Sequence, residues 1–383
     1  MAITPFYEVN QAIVATGGDT LNHCMQCGLC AGLCPWGRVV EGSPFVIRKM
    51  IRMGQLGAEG YESDDILFAC TTCNLCVRNC PREVKIVDVV RSMRSMIAET
   101  GAIPAGLRPI LGSVHSQGNP WSEDKAKRIN WTQGLDVPLF GPDTEYFLFV
   151  CCTSAYEQRS QKIAKALVSL LKTAGVSFGI IGNEEACCGE SVRKIGDEGL
   201  FSKIAEQNIA LYKGKGVKKI ITTSPHCFTT FTKDYAELGA DFEVQHYSQF
   251  LTQLVKEGRL VPQKSLDKKV IYHDPCYLGR HNELFGQPRE LIQSIPGAEL
   301  MEFSQNKAFS LCCGGGGGRL WMETKPEQRF SDKKIVEAAD RGAEVFATAC
   351  PYCISLFEDS RKGTGKEDQL VVKDLTELLQ ESL

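Results

Sequence analysis

The sequence predicts a mixed α+β and α/β chain, in which a helical, cysteine-rich N-terminal region precedes one α/β unit that occurs twice. Three observations predict this fold class. Eight of the 18 cysteines stand in two matching runs between residues 24 and 80. A Cys-Cys-Gly triplet occurs at 187–189 and again at 312–314. Around both triplets, short apolar runs typical of strands alternate with segments of helical periodicity.

The composition excludes several classes of function. The 383 residues are 43% hydrophobic and 23% charged, and the formal net charge is −3. Such a balance gives no reason to expect nucleic acid as a partner. The longest apolar runs, such as YFLFVCC at 146–152, are too short to span a bilayer, and the N-terminus lacks the features of a signal peptide. We therefore expect a cytoplasmic chain that associates with a membrane only through partner subunits.

The two N-terminal cysteine runs, at 24–35 and 70–81, both read C-x2-C-x2-C-x3-C-P. This is the ligand pattern of paired [4Fe–4S] cubanes, in which the fourth cysteine of each run binds the neighbouring cluster. Structural zinc, the alternative, is typical of isolated quartets of two CxxC pairs. We assign one cluster to Cys24, Cys27, Cys30 and Cys80, and the other to Cys70, Cys73, Cys76 and Cys34.

Residues 1–101 are predicted to form a helical, ferredoxin-type domain around these two clusters. The segments VIRKMIRMGQLG and VKIVDVVRSMRSMIAE have apolar residues at helical spacing. The Arg and Lys residues between the apolar positions are expected to face solvent. Residues 102–145 are rich in proline and glycine, which predicts a connector.

Constant spacing between cysteine motifs indicates that the rest of the chain is duplicated. Cys187 and Cys312 lie 125 positions apart, and Cys227 and Cys353 lie 126 apart. This predicts a first Cys-Cys-Gly repeat at 146–265 and a second at 266–383. Alternating strands and helices indicate parallel βαβ units, which place the cysteines in loops at the carboxyl ends of the strands.

The second repeat has more thiols than a cubane uses. Its five cysteines are Cys276, Cys312, Cys313, Cys350 and Cys353. A cubane takes four thiolates, and adjacent cysteines do not easily reach two corners of one cube. Five donors with an adjacent pair therefore predict an opened, noncubane [4Fe–4S] cluster. The glycines at 314–318 are expected to let the backbone approach this cluster, since a phosphate loop would need Lys-Ser or Lys-Thr where Arg319-Leu320 stands.

The run C-x35-CC-x36-C-x2-C from Cys276 to Cys353, together with CMQCGLC, IRKMIRMGQLG and CTTCNLCVRNCPREV, resembles heterodisulfide reductase. The chain is similar to the fused catalytic subunit of the membrane-linked form. The resemblance implies a noncubane [4Fe–4S] cluster at the complete motif, where a substrate disulfide binds and is cleaved by one-electron steps. It implies that the cubanes supply the electrons and that the five cysteines of the second repeat are the catalytic residues.

The first repeat departs from this pattern. It offers Cys187, Cys188, Cys227 and either Cys152 or Cys151, but Ser224 stands where the second repeat has Cys350. A serine hydroxyl is a poor iron ligand, because it stays protonated at neutral pH. The expectation is a four-thiolate site that holds a modified cluster, an ordinary cubane or no cluster, with His226 either as a ligand or as an orienting donor.

Three functions fit these observations. The first is a reductase subunit that reduces or forms a disulfide of a small thiol or a carrier protein. The second is a non-catalytic relay in a larger flavin-dependent complex, and the third is the iron–sulfur subunit of a glycerol-phosphate or hydroxy-acid dehydrogenase. Each requires redox partners, such as a flavoprotein, a membrane cytochrome or a hydrogenase-type subunit. Near the second motif, proton donation and structural pairing are both open roles for His273, Asp274, Arg280 and His281, and Arg319 could bind an anionic group of the substrate.

Overall fold

A computed structural model describes residues 6–43, 45–58 and 65–383, and the chain divides into two compact units. The first unit comprises Met1–Pro109, Ser191–Phe201 and Gly314–Phe330, and the second comprises Ile110–Glu190, Ser202–Cys313 and Ser331–Leu383. The chain therefore leaves the second unit after Glu190 in the first repeat and after Cys313 in the second, at or next to the Cys-Cys-Gly motif, and returns to it later. The linear borders at 101, 145 and 265 stay a prediction.

The first unit is built from helices around the two cysteine runs. Helix α4 shows why: its buried residues Ile47, Met50, Ile51 and Gly54 follow the spacing of one helical face. Helix α1 packs against α4 and α6. The helices up to residue 99 are α1 (Tyr7–Ala15), α2 (Leu29–Leu33), α3 (Pro35–Val39), α4 (Ile47–Leu56), α5 (Leu75–Arg78) and α6 (Ile86–Glu99).

Each repeat forms a four-stranded parallel sheet, as the sequence predicts. The first sheet has the order β2-β1-β3-β4, and the second has the equivalent order β6-β5-β7-β8. The shared order confirms the duplication at the level of the fold. The strands are β1 (Tyr146–Phe149), β2 (Phe178–Gly179), β3 (Lys219–Thr222), β4 (Glu243–His246), β5 (Lys268–Tyr272), β6 (Ala298–Glu302), β7 (Val345–Thr348) and β8 (Val371–Asp374).

Helices connect the strands, as parallel pairing requires. A π turn, Thr230–Asp234, continues α12. None of the helices in the described parts of the chain is both long and apolar enough to cross a bilayer. The remaining helices are α7 (Arg108–Gln117), α8 (Cys152–Tyr156), α9 (Gln161–Thr173), α10 (Glu190–Ile195), α11 (Glu198–Gly214), α12 (Pro225–Thr229), α13 (Tyr235–Glu237), α14 (Tyr247–Lys256), α15 (Cys276–Gly279), α16 (Gly286–Gln293), α17 (Phe330–Asp340), α18 (Pro351–Gly363) and α19 (Leu375–Glu381).

The two repeats share one hydrophobic core inside the second unit. Helix α9 of the first repeat packs against α19 of the second, and α14 packs against α16. The core includes Leu148 and Val270 from the central strands and Trp131 from the proline-rich segment. Across the two repeats, the Tyr247 hydroxyl donates to both carboxylate oxygens of Asp374, at 2.8 and 2.7 Å. The cysteine loops of both repeats are therefore mounted on one packed body.

Candidate functional site

The first N-terminal cavity is bordered by thiols from both cysteine runs. Arg48, Ile51 and Ile86 contribute to its wall. Three of its cysteines come from the first run, and the fourth comes from the end of the second. This is the grouping that the crossed ligand assignment uses, and the assignment itself stays a prediction. The cysteines that border the cavity are Cys24, Cys27, Cys30 and Cys80.

The second N-terminal cavity has the complementary set. Trp36, Phe45 and Val87 lie in its wall. Within the described residues, no three His, Cys, Asp or Glu side chains are arranged to hold a single metal ion. The thiols surround a volume instead, which suits a multi-iron group whose ligands are all thiolates. The cysteines that border this cavity are Cys34, Cys70, Cys73 and Cys76.

The backbones of the two cysteine loops share an uncommon conformation. In the first loop, Gln26 and Gly28 flank Cys27 with φ of 62° and 87°. In the second, Thr72 and Asn74 flank Cys73 with φ of 51° and 66°. A β-branched threonine at positive φ is strained, and such strain concentrates at sites where the chain must wrap a ligand. The matched strain supports a similar cluster-binding role for both loops.

Burial dominates the electrostatics of these thiols. It raises the pKa of Cys34 to about 12, and the Cys73 thiol adds to the effect. It raises the pKa of Cys30 to about 11, with Cys24 as the next contributor. Thiols crowded in this way are held as thiolates only when a positive centre such as iron compensates their charge.

Helix α6 carries a buried arginine beside the second loop. The side chain of Arg94 is 0% exposed. Its guanidinium donates to Leu67 O at 3.2 and 2.8 Å, and to Cys70 O at 2.8 Å. It also donates to Lys194 O at 2.6 Å and Gly317 O at 3.1 Å. The expectation that the basic residues of this helix face solvent is therefore wrong for Arg94, which joins both segments that follow the Cys-Cys-Gly motifs to the Cys70 loop.

The glycine run approaches this same loop. A Cβ placed on Gly316 would lie 2.3 Å from Thr71 O, and one on Gly317 would lie 2.5 Å from Cys70 O. Only glycine allows so close an approach between two backbones. The structure thus shows a close backbone approach of the glycine run to the Cys70 loop, whereas the approach to the second-repeat cluster stays a prediction.

In the first repeat, the structure gathers five buried thiols rather than four. The Sγ atoms of Cys188 and Cys227 lie 3.3 Å apart. The Cys152 thiol is hydrogen-bonded to Cys187, and the Cys151 thiol is hydrogen-bonded to Cys227. Sequence reasoning left Cys151 and Cys152 as alternatives, whereas both side chains reach this locus. The adjacent thiols therefore contact two different members of one group.

An arginine from the predicted connector reaches the first locus. The Arg128 guanidinium donates to Cys152 Sγ at 3.4 Å and to Glu185 Oε2 at 3.0 Å, and both charged side chains are buried. Glu185 accepts further bonds from the backbone N–H groups of residues 181 and 182. Burial raises the pKa of Glu185, although Arg128 opposes the rise. No sequence pattern signals this pair, because Arg128 lies outside every cysteine motif.

The five cysteines of the second repeat are also gathered and buried, with exposures of 1–5%. The Sγ atoms of Cys276 and Cys312 lie 3.9 Å apart. Cys353 is hydrogen-bonded through its thiol to both Cys313 and Cys350. The loops that carry these thiols follow β5, β6 and β7, which are neighbours in the sheet. All five predicted donors therefore meet at the carboxyl edge of the second sheet, and their role as ligands stays a prediction.

His226 of the first repeat contacts this second locus. Its ring is hydrogen-bonded to the Cys350 thiol, lies 3.2 Å from Glu190 Oε1 through Nδ1, and stacks on Tyr277 at 3.8 Å. Burial alone would lower the pKa of His226, but Glu190 and Cys350 outweigh it and raise the value to about 10. In the sequence, His226 stands next to a first-repeat cysteine, so its reach into the second repeat could not be predicted.

The polar residues that the sequence places near the second motif have structural partners. Both carboxylate oxygens of Asp274 accept from Arg289, at 2.7 and 2.9 Å. Arg280 donates to the carbonyl oxygen of Ser310 at 2.6 Å. His273 is fully buried with its ring edge-on to Phe357, and burial lowers its pKa well below the ordinary value.

The other two polar side chains have aromatic partners. His281 stacks on Tyr277, with ring centres 4.1 Å apart. Arg319 belongs to the first unit, where its guanidinium lies 5.2 Å from the Trp36 ring centre and donates to Thr324 Oγ1 at 2.7 Å. These contacts support the structural alternative for the basic and acidic residues that flank the second motif.

Comparison with known proteins accounts for both parts of the chain. Residues 20–84 match the family described as 4Fe-4S dicluster domain. Residues 146–232 and 270–358 match the family described as Cysteine-rich domain. The thiols gathered by the structure thus lie within domains whose family descriptions name iron–sulfur clusters or cysteine-rich sequence.

Three relatives show the range of the family. The chain is 36% identical over 331 residues to the Bacillus subtilis protein named "Probable iron-sulfur-binding oxidoreductase FadF", with 84% of this chain and 47% of that protein covered. It is 34% identical over 330 residues to "EtfAB:quinone oxidoreductase" of Syntrophomonas wolfei, with 82% and 46% covered. The chain thus spans about half the length of these two relatives.

The third relative matches from end to end. It is a subunit of the dihydromethanophenazine:CoB--CoM heterodisulfide reductase of Methanosarcina mazei, and the chain is 30% identical to it over 393 residues, with 95% of this chain and 94% of that subunit covered. The resemblance that the motifs indicate is therefore confirmed. The chain belongs to the family of iron–sulfur oxidoreductase subunits that includes this part of heterodisulfide reductase, with one [4Fe–4S] dicluster domain and two copies of the cysteine-rich domain.

Proposed function

We propose that this chain is the subunit in which electrons from two cubane clusters reduce, or are taken from, a disulfide at the second Cys-Cys-Gly motif. The observation that carries the proposal is the group of five buried thiols in the second repeat, which three neighbouring loops bring together. When bound there, a noncubane [4Fe–4S] cluster would supply one-electron transfer and an iron site for a substrate sulfur. The chain's own part is to hold the donor atoms and shape their surroundings.

The second repeat fixes its thiols through a rigid frame. Cys276 is the first residue of α15, and Cys350 occupies the N-cap position of α18, so each position is set by the start of a helix. The buried Arg289–Asp274 pair holds the loop between β5 and α15, because Asp274 Oδ2 also accepts from the backbone N–H of Lys307, at 2.7 Å. Two strand loops are thereby held together beside the thiols, as a preorganised ligand set requires.

Reduction of one disulfide breaks the S–S bond and consumes two electrons and two protons, and gives two thiols. We propose that the electrons enter at the cubanes, held by the cysteines that border the two N-terminal cavities, from a redox partner subunit. A flavoprotein, a membrane cytochrome or a hydrogenase-type subunit would serve as this donor. We further propose a cytoplasmic location with membrane association through such partners.

A second candidate function is an electron relay without disulfide chemistry. Two observations favour it. Burial of the five second-repeat thiols leaves at most 5% of any of them exposed, and an electron can reach a buried centre that a bulky disulfide cannot. The relative named for EtfAB and quinone also has a higher identity to this chain than the heterodisulfide reductase subunit has. A relay would pass electrons between a flavoprotein and a quinone pathway.

One experiment separates the two candidates. The chain is purified anaerobically with its clusters, reduced, and titrated with a disulfide of a small thiol while paramagnetic resonance spectra are recorded. A disulfide reductase is expected to give a signal distinct from the cubane signals, and Cys312→Ala is expected to abolish it. The matched variant Cys187→Ala, at the equivalent position of the first repeat, should retain it.

Two results would contradict the disulfide proposal. A disulfide-dependent signal that survives Cys312→Ala but is lost in Cys187→Ala would remove the second motif from the chemistry. A wild-type chain whose reduced clusters are not oxidised by any disulfide, but are oxidised by a quinone, would establish the relay instead.

A further inference from the structure

The first repeat holds as many thiols as the second. All five of its cysteines are buried. Their side chains form one connected series of hydrogen bonds, from Cys152 to Cys187, then to Cys188, Cys227 and Cys151. The Sγ–Sγ distance between Cys188 and Cys227 is 3.3 Å. Although position 224 is a serine, the first repeat therefore gathers five thiols, as the second repeat does.

The strand order of the sheet explains how the sulfur of Cys151 comes close to the loop that carries Ser224. Cys151 follows β1 and caps α8 with its side chain, whereas Cys350 follows β7 and occupies the N-cap position of α18. In each sheet the two strands concerned are neighbours: β1 pairs with β3, and β5 pairs with β7. A side chain at the end of β1 is thus one strand spacing from the loop that carries Ser224, about 4.8 Å.

The two repeats carry their fifth cysteine at different positions. Cys152 and Cys276 each begin the helix after the first strand of their repeat, so the partner of Cys151 is Pro275, which has no sulfur. Ser224 caps α12 by accepting from the backbone N–H of His226 at 3.3 Å. In the second repeat, the fifth cysteine thus lies after the third strand, β7. In the first repeat, it lies at the end of the first strand, β1.

We propose that Cys151 is the fifth sulfur donor of the first repeat, and that Cys151 and Cys152 both bind an iron–sulfur cluster there. The inference rests on the proposed function, in which the Cys-Cys-Gly motifs hold such clusters. Five donors, now with two adjacent pairs, give this locus the same features that indicate a noncubane cluster in the second repeat. The two Cys-Cys-Gly sites are therefore alike in donor number and differ in which strand supplies the fifth donor.

The competing role for Cys151 is a helix cap. Its Sγ accepts from the backbone N–H of Ser154 at 3.5 Å, which an oxygen would do better. Serine is among the preferred N-cap residues, so Cys151→Ser keeps the cap and removes only the soft ligand. This substitution separates the two roles without removing the capping group.

The test uses the full chain in a Cys312→Ala background, which is expected to remove the second-repeat signal. Iron and sulfide content and Mössbauer spectra are measured in this background with and without Cys151→Ser. The proposal predicts that Cys151→Ser abolishes the noncubane contribution of the first repeat and lowers the iron content by up to about four atoms, the content of one cluster. Unchanged iron and an unchanged spectrum would overturn it.

A rescue variant gives a second, independent result. Cys151→Ser/Ser224→Cys moves the fifth sulfur to the position that it has in the second repeat, and should restore the iron and the spectrum. Failure of this rescue in a folded chain would show that the two positions are not equivalent and would overturn the proposal. The proposed function is judged separately, by the second-repeat signal of the wild-type chain. If this signal is present and Cys151→Ser leaves the iron content and spectrum unchanged, the fifth-donor proposal is refuted but the proposed function is not.

Discussion

Substitution of Arg94 by methionine should weaken the packing around the Cys70 loop. The guanidinium makes five hydrogen bonds to four backbone carbonyl oxygens, and it is completely buried. Methionine fills a similar volume but leaves all four acceptors without this donor. A bond with a charged partner contributes about 1.5–3 kcal/mol, and the disruption of a buried charged network costs about 3–5 kcal/mol. Because bonds from one group are not additive, we expect a loss of about 4 kcal/mol.

The loss should appear locally, in the segments that Arg94 joins. With about 1.4 kcal/mol for each tenfold change, 4 kcal/mol corresponds to about a thousandfold loss of amide protection where exchange requires this region to open. Hydrogen exchange measured by mass spectrometry on the anaerobic protein would follow peptides from 191–201 and 314–330. Arg94→Lys keeps the charge but lacks the planar fork of donors, so its amide protection should lie between that of the wild-type chain and that of Arg94→Met.

The exposed Arg52 of helix α4 provides a control in the same unit, since it makes one bond, to Gln55 Oε1 at 3.3 Å. Arg52→Met should change protection by less than about twofold, as expected for an exposed contact of about 0.3 kcal/mol. If Arg94→Met altered protection of both segments no more than this control does, the buried network would not hold them, and the reasoning would be refuted.

Three further predictions concern other buried features. Gly317→Ala should lower the thermal midpoint much more than Gly365→Ala does, because both residues have φ near +65° but only Gly317 would bring a Cβ within 2.5 Å of a backbone oxygen; equal shifts would refute the clash. Arg128→Met should destabilise the chain by about 3–5 kcal/mol by leaving Glu185 buried without its cation, and the added Glu185→Gln, which removes the charge but keeps an acceptor for the backbone N–H groups of residues 181 and 182, should recover most of this loss. Burial raises the pKa of Asp374 from 3.8 to about 7, so its contribution to folding is complete below pH 4 and is lost as the pH rises towards 7. Measured by chemical denaturation, the free energy of unfolding of the wild-type chain relative to that of Asp374→Asn should fall by about 2 kcal/mol between pH 5.5 and 7 and by little more above pH 8. A difference between the two proteins that does not change with pH would contradict the raised pKa.

The parts of the molecule that the sequence predicts well depend on local chain geometry. The spacing of the N-terminal cysteines is a short-range pattern, and the structure brings those thiols around two cavities in the expected groups. The duplication is visible because the same strands and loops recur at a nearly constant offset. Parallel βαβ units then place the loops at one edge of each sheet, which follows from the alternation of strands and helices.

The features that the sequence does not predict all depend on distant partners. The charge of Arg94 predicts a solvent-exposed side chain, but its acceptors include Lys194 and Gly317, each at least 100 residues away. Cys151 looks redundant beside Cys152 until the pairing of β1 with β3 brings it next to Cys227. Such contacts are set by tertiary packing, which a motif or a helical period does not record.

The differences between the repeats have a common physical origin. With Cys151 as the proposed fifth donor of the first repeat, the loop after β3 does not need a cysteine at its cap position. Ser224 caps α12, and the first turn of this helix presents His226, which reaches Cys350 of the second repeat. In the second repeat the residue at the position of His226 is Tyr352, which lies 4.7 Å from that same histidine ring. The first repeat thus contributes a histidine to the surroundings of the second repeat's thiols, and Tyr352 at the equivalent position of the second repeat packs against that histidine.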